Sequence, residues 1–271
     1  MGRWYFSKST HTSNTFTTTS MSMANDALYT VPRFRRSGDA ALTIEVGDGI
    51  DADVNARVVD LDRALSERAL PGIVEIVPTY RTLLVCFDPT MLSRRDIEAE
   101  IIALWPPVAP EGQLRRRWTV PVAYGGDNGM DLDWLAQRLD MTTDEIVARH
   151  SAAEYRVYMI GFMPGFAYLG GLDPALHVDR RPEPRLVTPP CSVSVGGQQA
   201  AVAPPLAAPS GWHMLGRTPV RSYDPRRKQE PFLFRAGDLL RFHPIGVAEF
   251  AALERAAETG AIIAEREELK V

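Results

Sequence analysis

The segment Gly161-Phe162-Met163-Pro164-Gly165-Phe166-Ala167-Tyr168-Leu169-Gly170-Gly171 interleaves three aromatics with four glycines and one proline. Flat rings supply apolar walls for a ligand. Glycine lets backbone approach a ligand or adopt positive φ, and proline lowers the entropy of holding a loop still. The same composition suits a tightly turned barrel corner with its rings in the core, because glycine and proline also punctuate ordinary turns. Arg180-Arg181-Pro182-Glu183-Pro184-Arg185 is stiffened by two prolines. Its arginines could fork onto a carboxylate or phosphate, or simply be solvated. A third shaped loop, Pro209-Ser210-Gly211-Trp212-His213-Met214-Leu215-Gly216-Arg217-Thr218-Pro219, carries a Trp that suits a ligand wall or a core anchor. Arg217 could meet an anion or cap a strand end.

These loops need a scaffold, and its pattern begins at Gly38. Leu42, Ile44 and Val46 alternate with polar residues, as in a half-buried strand. Val54, Val58, Leu61 and Leu65 recur at helical spacing. Residues 73–77 and 82–87 read as strands around a turn at Pro78-Thr79-Tyr80. Ser93 with Asp96 caps a helix that Pro106 and Pro107 stop, and 118–122 reads as a further strand. The order β-α-β-β-α-β over 38–122 is that of a ferredoxin-like split βαβ domain. Residues 123–154 read as a helical connector, with Thr142 and Glu145 as a capping box. From 155 to 271, short apolar runs separated by Gly and Pro suggest a barrel or sandwich closed by one or two helices near 247–264. The fold class is α+β. Residues 1–37, rich in Ser and Thr over the first 30, are expected to be a tail.

Composition removes several function classes. The 271-residue chain has 45% hydrophobic and 24% charged residues and a formal net charge of -4, which draws it to no nucleic acid. No apolar run approaches the roughly 20 residues that cross a bilayer. Lys8, Lys228 and Lys270 are the only lysines, so cationic chemistry in the body falls to arginine. Neither standard phosphate cradle is present, no Ser-His-Asp order can be assigned, and the histidines lack metal-ligand spacing. Cys86 and Cys191 are far apart and suit a reducing cytosol, so a cytoplasmic location is expected.

Taken together, the three loops resemble a known family, called the 5-oxoprolinase B-type subunit, allophanate hydrolase subunit 1 or KipI-like, which also forms part of the carboxyltransferase domain of urea carboxylases. The resemblance runs from about Gly38 to Ile245. It includes Val77-Pro78-Thr79-Tyr80, Tyr124-Gly125-Gly126-Asp127 with Asp131-Leu132, His150 and Tyr155, the 161–171 segment, Arg181, Pro184-Arg185, Ser192-Val193, Gly197-Gln198, Gly211-Trp212 and Gly216-Arg217-Thr218-Pro219. Cys191 stands where the family has Gly, Ser210 replaces the first Gly of a Gly-Gly-Trp, and Ala203 replaces a Tyr.

The resemblance implies a cyclophilin-like barrel in the C-terminal part. It implies a subunit that helps convert 5-oxoproline to glutamate with ATP, with Mg, alongside C-type and A-type subunits. The nucleotide site is expected to be shared with, or carried by, a partner. Arg181, Arg185 and Arg217 are expected to clamp phosphate oxygens. Phe162, Pro164, Gly165, Phe166, Tyr168, Gln198 and Trp212 are expected to bind the small-molecule substrate, with no metal held by protein ligands. The same family likeness leaves two alternatives: inhibition of a histidine kinase, and a carboxyltransferase-type role in a urea or allophanate pathway.

Overall fold

The computed structural model describes residues 27–109, 112 and 114–270. The N-terminal layer comprises β1 (Leu28–Arg36), β2 (Ala41–Gly47), α1 (Ala52–Arg68), β3 (Ile73–Pro78), β4 (Thr82–Phe87) and α2 (Arg94–Ala103). Its antiparallel sheet has the order β1-β2-β4-β3. Alternation in β2 puts Leu42, Ile44 and Val46 into one core with Val54, Val58, Leu61 and Leu65 of α1. Each such fully buried side chain contributes about 1.5–3 kcal/mol. Asp51 caps α1 by accepting from the N–H groups of Asp53 (2.8 Å) and Val54 (3.2 Å). The expected Ser93–Asp96 capping box starts α2.

The split βαβ unit is present, since β2 and β3 flank β4. Two boundaries are corrected. Residues 28–36, expected in the tail, form β1 and take the sheet position beside β2. Residues 1–26, the rest of that tail, lie outside the described residues. The strand around 118–122, expected to complete this sheet, leaves it for the barrel.

The barrel is built from β5 (Leu114–Tyr124), β6 (Glu154–Ile160), β7 (Ala167–Gly170), β9 (Ser192–Gly196), β10 (Gln199–Val202), β12 (His213–Arg217) and β13 (Leu239–Pro244). The order β12-β9-β10-β7-β6-β13-β5 closes on itself because Ala123 and Tyr124 pair with Arg217 and Gly216. β13 runs parallel to β5, with Leu239 opposite Arg117. β14 (Glu265–Lys270) adds to the first half of β5, so the described chain closes on a strand beyond the helix expected there, α5 (Val247–Glu258). Helices α3 (Leu132–Leu139) and α4 (Thr143–Ala152) occupy the connector, and α4 has the expected Thr142–Glu145 capping box. β8 (Arg185–Thr188) and β11 (Ala208–Ser210) form a separate two-stranded ribbon.

Val120, Val122, Val157, Leu169, Val193, Val195, Val202 and Leu240 fill the barrel interior. The interior is therefore a core, and a ligand face must lie outside it. The two layers meet at Asn55, which is fully buried. Its amide donates to the carbonyls of Thr79 (3.1 Å) and Tyr158 (3.0 Å), and its Oδ1 accepts from Arg156 Nε at 3.1 Å.

Candidate functional site

Strand alternation sets the site. On β7, Ala167 and Leu169 point into the barrel, which leaves Phe166 and Tyr168 on its outer face. On β10, Ala200 and Val202 point inward, so the small Ala201 lies outward beside Ala203, which directly follows the strand, and leaves room for rings. Phe166, Ala201, Ala203 and Trp212 form a buried cluster flanked by Met163 and Tyr168.

The rings connect one to the next. Centroid separations are 5.9 Å for Phe162–Phe166, 4.7 Å for Phe166–Tyr168 and 5.9 Å for Tyr168–Trp212. Tyr80, from the β3–β4 turn of the other layer, meets Tyr168 at 5.9 Å and Tyr158 at 5.8 Å. Its hydroxyl donates to Gln199 Oε1 at 2.7 Å. Burial raises the Tyr80 hydroxyl well above its usual range, so it stays a neutral donor. The Arg180 guanidinium lies 5.1 Å from the Trp212 ring.

Loop chemistry holds this face in shape. Gly165 has φ +81°, and a Cβ there would sit 2.7 Å from Cβ of Tyr223, so no larger residue fits without a shift. Phe162 takes φ 69° and leaves its side chain 69% exposed. Left-handed backbone at a bulky residue is strained by about 1–3 kcal/mol and gathers at ligand-contacting sites. Pro164 is exposed between them. A narrow slot opens beside the cluster, lined by Phe162, Met163, Phe166, Thr188, Ser194 and Ala203. Ala203 lines the slot, so the Tyr-to-Ala departure leaves space there.

The expected residues divide. Phe162, Pro164, Gly165, Phe166, Tyr168 and Trp212 come together on this face. Gln198 does not: it is exposed in the β9–β10 turn, and the buried neighbour Gln199 faces Tyr80. A one-residue step along a strand reverses the face.

The three arginines expected as clamps are already paired. Asp131, 3% exposed, accepts from Arg185 Nη1 at 2.7 Å, from Arg185 Nη2, from Arg181 Nη1 at 3.2 Å and from the Met214 N–H at 2.7 Å. Burial works to raise this carboxyl, yet the Arg185 and Met214 hydrogen bonds and the arginine charges hold it below the ordinary range. Arg217 lies elsewhere, donating to the Pro190 carbonyl (3.1 Å) and to Glu254 of α5 (2.9 Å). These contacts pin the 181–185 segment and the β12 end to the barrel. In this arrangement the three arginines spend their hydrogen bonds within the chain and form no open cradle together.

Sequence reasoning missed Tyr80, Gln199 and Asp131 as members of these constellations. Tyr80 and Asp131 both fell within motifs that carried the resemblance, and that was the available signal. His150 is buried, bonded through Nδ1 to Tyr124 Oη at 2.8 Å and stacked on Phe242 at 4.6 Å. Burial pushes its pKa down to about 3, so it is a neutral core group. Cys191 has φ 57°, which accounts for the family's Gly there, and burial pushes its thiol up to about 11. That thiol is not a nucleophile at neutral pH.

Comparisons with known proteins identify the family and the fold. The model of the family described as "Carboxyltransferase domain, subdomain C and D" matches residues 32–234. A Bacillus subtilis protein, named as the B-type subunit of 5-oxoprolinase, is 32% identical over 230 residues, covering 79% of this chain and 93% of that protein. An Escherichia coli protein of the same name is 36% identical over 208 residues, 76% of this chain and 93% of its own length. The solved structure of TTHA0988 superposes with TM-score 0.69 at 36% identity over 76% of this chain, and this chain spans 40% of that one. Kluyveromyces lactis urea carboxylase superposes with TM-score 0.75 over 89% of this chain and 24% of its own, at 19% identity, which shows a shared fold.

Proposed function

The chain belongs to the family of the carboxyltransferase domain, subdomains C and D, and from that premise we propose that it is the B-type subunit of an ATP-dependent 5-oxoprolinase. The observation that carries this reading is the likeness to two curated relatives bearing that name along 93% of their own lengths. No helix among the described residues is long and apolar enough to cross a membrane, and we place the complex in the cytoplasm.

The reaction opens a five-membered cyclic amide to glutamate. That amide is unstrained and unreactive to water, and ATP supplies the activation. Arg181, Arg185 and Arg217 are held by Asp131 and Glu254 and do not fit a phosphate cradle. We place the nucleotide and Mg site where it is shared with, or carried by, the C-type or A-type partner. This chain contributes the aromatic face. Exposed Phe162 and half-buried Tyr168 offer flat apolar walls for a small ring, backed by buried Phe166 and Trp212, and the Tyr80–Gln199 pair fixes the edge of that wall. The strained, exposed Phe162 stands at its open end, where a partner surface would exclude water from the reacting amide.

The test is ATP-dependent glutamate release from 5-oxoproline by the chain alone, then with a C-type partner, then with both partners. The expected result is no turnover alone and turnover in the complete set. Turnover by the chain alone would overturn the shared-site reading. An inactive complete set would overturn the activity itself.

A further inference from the structure

A cleft of about 880 Å³ lies between the layers, walled by α1, β3, the outer faces of β5 and β6 and the loop before β13. Tyr155 and Val157 point into the barrel, so Arg156 points out of it, toward α1. Arg115 faces the same way from β5 and lines the same cleft. Neither guanidinium has a carboxylate within ion-pair distance among the described residues, although neighbouring Arg116 pairs with Asp238 (2.6 Å) and Arg117 with Glu267 (2.6 Å). Arg156 spends Nε on Asn55. Its two terminal nitrogens donate to no described residue.

We propose that this cleft is a carboxylate-binding site, in which Arg115 and Arg156 hold the oxyanion of a small organic acid whose apolar body lies against Val59, Ile76, Val77 and Ile160.

Charge matching supports a monoanion. The carboxylate that interacts with both arginines is Asp60 on α1, which makes no ion pair within contact distance. The other arginines near Asp60 are occupied: Arg63 by Glu67 (2.8 Å) and the Val108 carbonyl (2.7 Å), and Arg57 over the Trp105 ring. On the walls, Arg116 pairs with Asp238 and Arg235 with Glu230, while Glu75 is exposed at the rim. Asp62 of α1 lines the cleft beside Asp60, so carboxylates already stand near the two guanidiniums and disfavour a multiply charged ligand. The carboxylate of a monoanion satisfies the guanidinium N–H groups that have no described acceptor with planar, paired hydrogen bonds. A doubly charged phosphate would bring more negative charge beside Asp60 and Asp62. Burial and the like charge of Arg115 also pull Arg156 below its ordinary pKa, a penalty that a bound anion removes.

The choice of 5-oxoproline as a probe rests on the function proposed above; the carboxylate chemistry does not. Calorimetric titration of the full chain would compare 5-oxoproline, butyrate, inorganic phosphate and uncharged 2-pyrrolidinone. The expected result is binding of a monocarboxylate, at least tenfold weaker for phosphate and pyrrolidinone. Arg115→Gln and Arg156→Gln should each weaken binding at least tenfold. Arg115 has no described ion-pair partner, so Arg115→Gln should keep the wild-type melting temperature, which separates loss of binding from loss of fold. Arginine-dependent binding of butyrate without 5-oxoproline upholds the cleft and counts against the proposed activity. Binding that is unchanged in Arg115→Gln, or seen only with phosphate, or absent for both acids overturns the proposal, whatever the glutamate-release assay reports.

Discussion

Around Asp131, two guanidiniums and a backbone N–H close on one nearly buried carboxylate. In the interdomain cleft, Arg115 and Arg156 face open space with Asp60 beyond ion-pair reach. The first pair sits in proline-framed loops and looks, in sequence, like a ligand clamp. The second sits in ordinary strands and draws no notice. A Gly/Pro frame shows where a chain is shaped, and only the pairing of charges shows which arginines remain available. The carboxylates of the two regions make the same contrast, since Asp131 is held below the usual range and burial pushes Asp62, on the cleft wall, up to about 6.

The largest effect is expected from Asp131→Ala, which leaves two partly buried arginines and the Met214 N–H without their acceptor. The loss should be about 3 kcal/mol, the lower end for a broken buried pair because Arg181 keeps some solvent. Urea denaturation at unchanged m-value measures it. A loss below about 1 kcal/mol would put the Asp131 cluster and the cleft arginines in the same class.

Asp62→Asn should act in the opposite direction. Its folded pKa, about 6, lies above the ordinary value of 3.8, so between these pH values the folded state binds the extra proton. Stability therefore falls as pH rises through that window, and the penalty is complete above about 6. At pH 7.5 the variant should be more stable by roughly 1–2 kcal/mol, after discounting for the exposed part of the group. The two proteins should converge below about pH 4. Equal stability across the range would show that burial does not perturb this carboxylate.

The smallest effect is expected at Arg217, whose pair with Glu254 is partly exposed and whose other bond is to a carbonyl. Arg217→Ala should cost about 1 kcal/mol and leave turnover of the assembled complex within a few-fold. A fall of about 100-fold or more in turnover at unchanged stability would return it to the role of transition-state clamp.

Much of the scaffold was legible because it follows local periodicity. The Leu42-Ile44-Val46 alternation, the helical spacing of Val54 to Leu65 and both capping boxes express contacts a few residues apart. What escaped was long-range. Residues 118–122 read correctly as a strand, but alternation does not name the neighbouring strand, and β5 pairs with β13 and β14 in place of β2. β1 hid in a polar segment whose edge position needs few apolar residues: Val31 is 57% exposed within it. Phe162, Phe166 and Tyr168 of the aromatic face were legible from the 161–171 segment and Trp212 from the 209–219 loop, whereas Tyr80 was not. Gln198 was placed one residue off because the tight turn Gly197-Gln198 gives no face label.

The parallel pairing of β5 with β13 has a consequence during synthesis. Arg117 waits for Leu239, about 120 residues downstream, which at 5–20 residues per second is roughly 6–24 s on the ribosome. For that interval the β-prone run Trp118 to Val122 has emerged without its partners. The triplet Arg115-Arg116-Arg117 directly before it places like charges at its entrance, where they discourage one nascent chain from templating another. The last described strand, β14, then sets Glu267 and Glu268 opposite Arg117 and Arg116, so the guard on the newborn chain becomes a seam of the barrel.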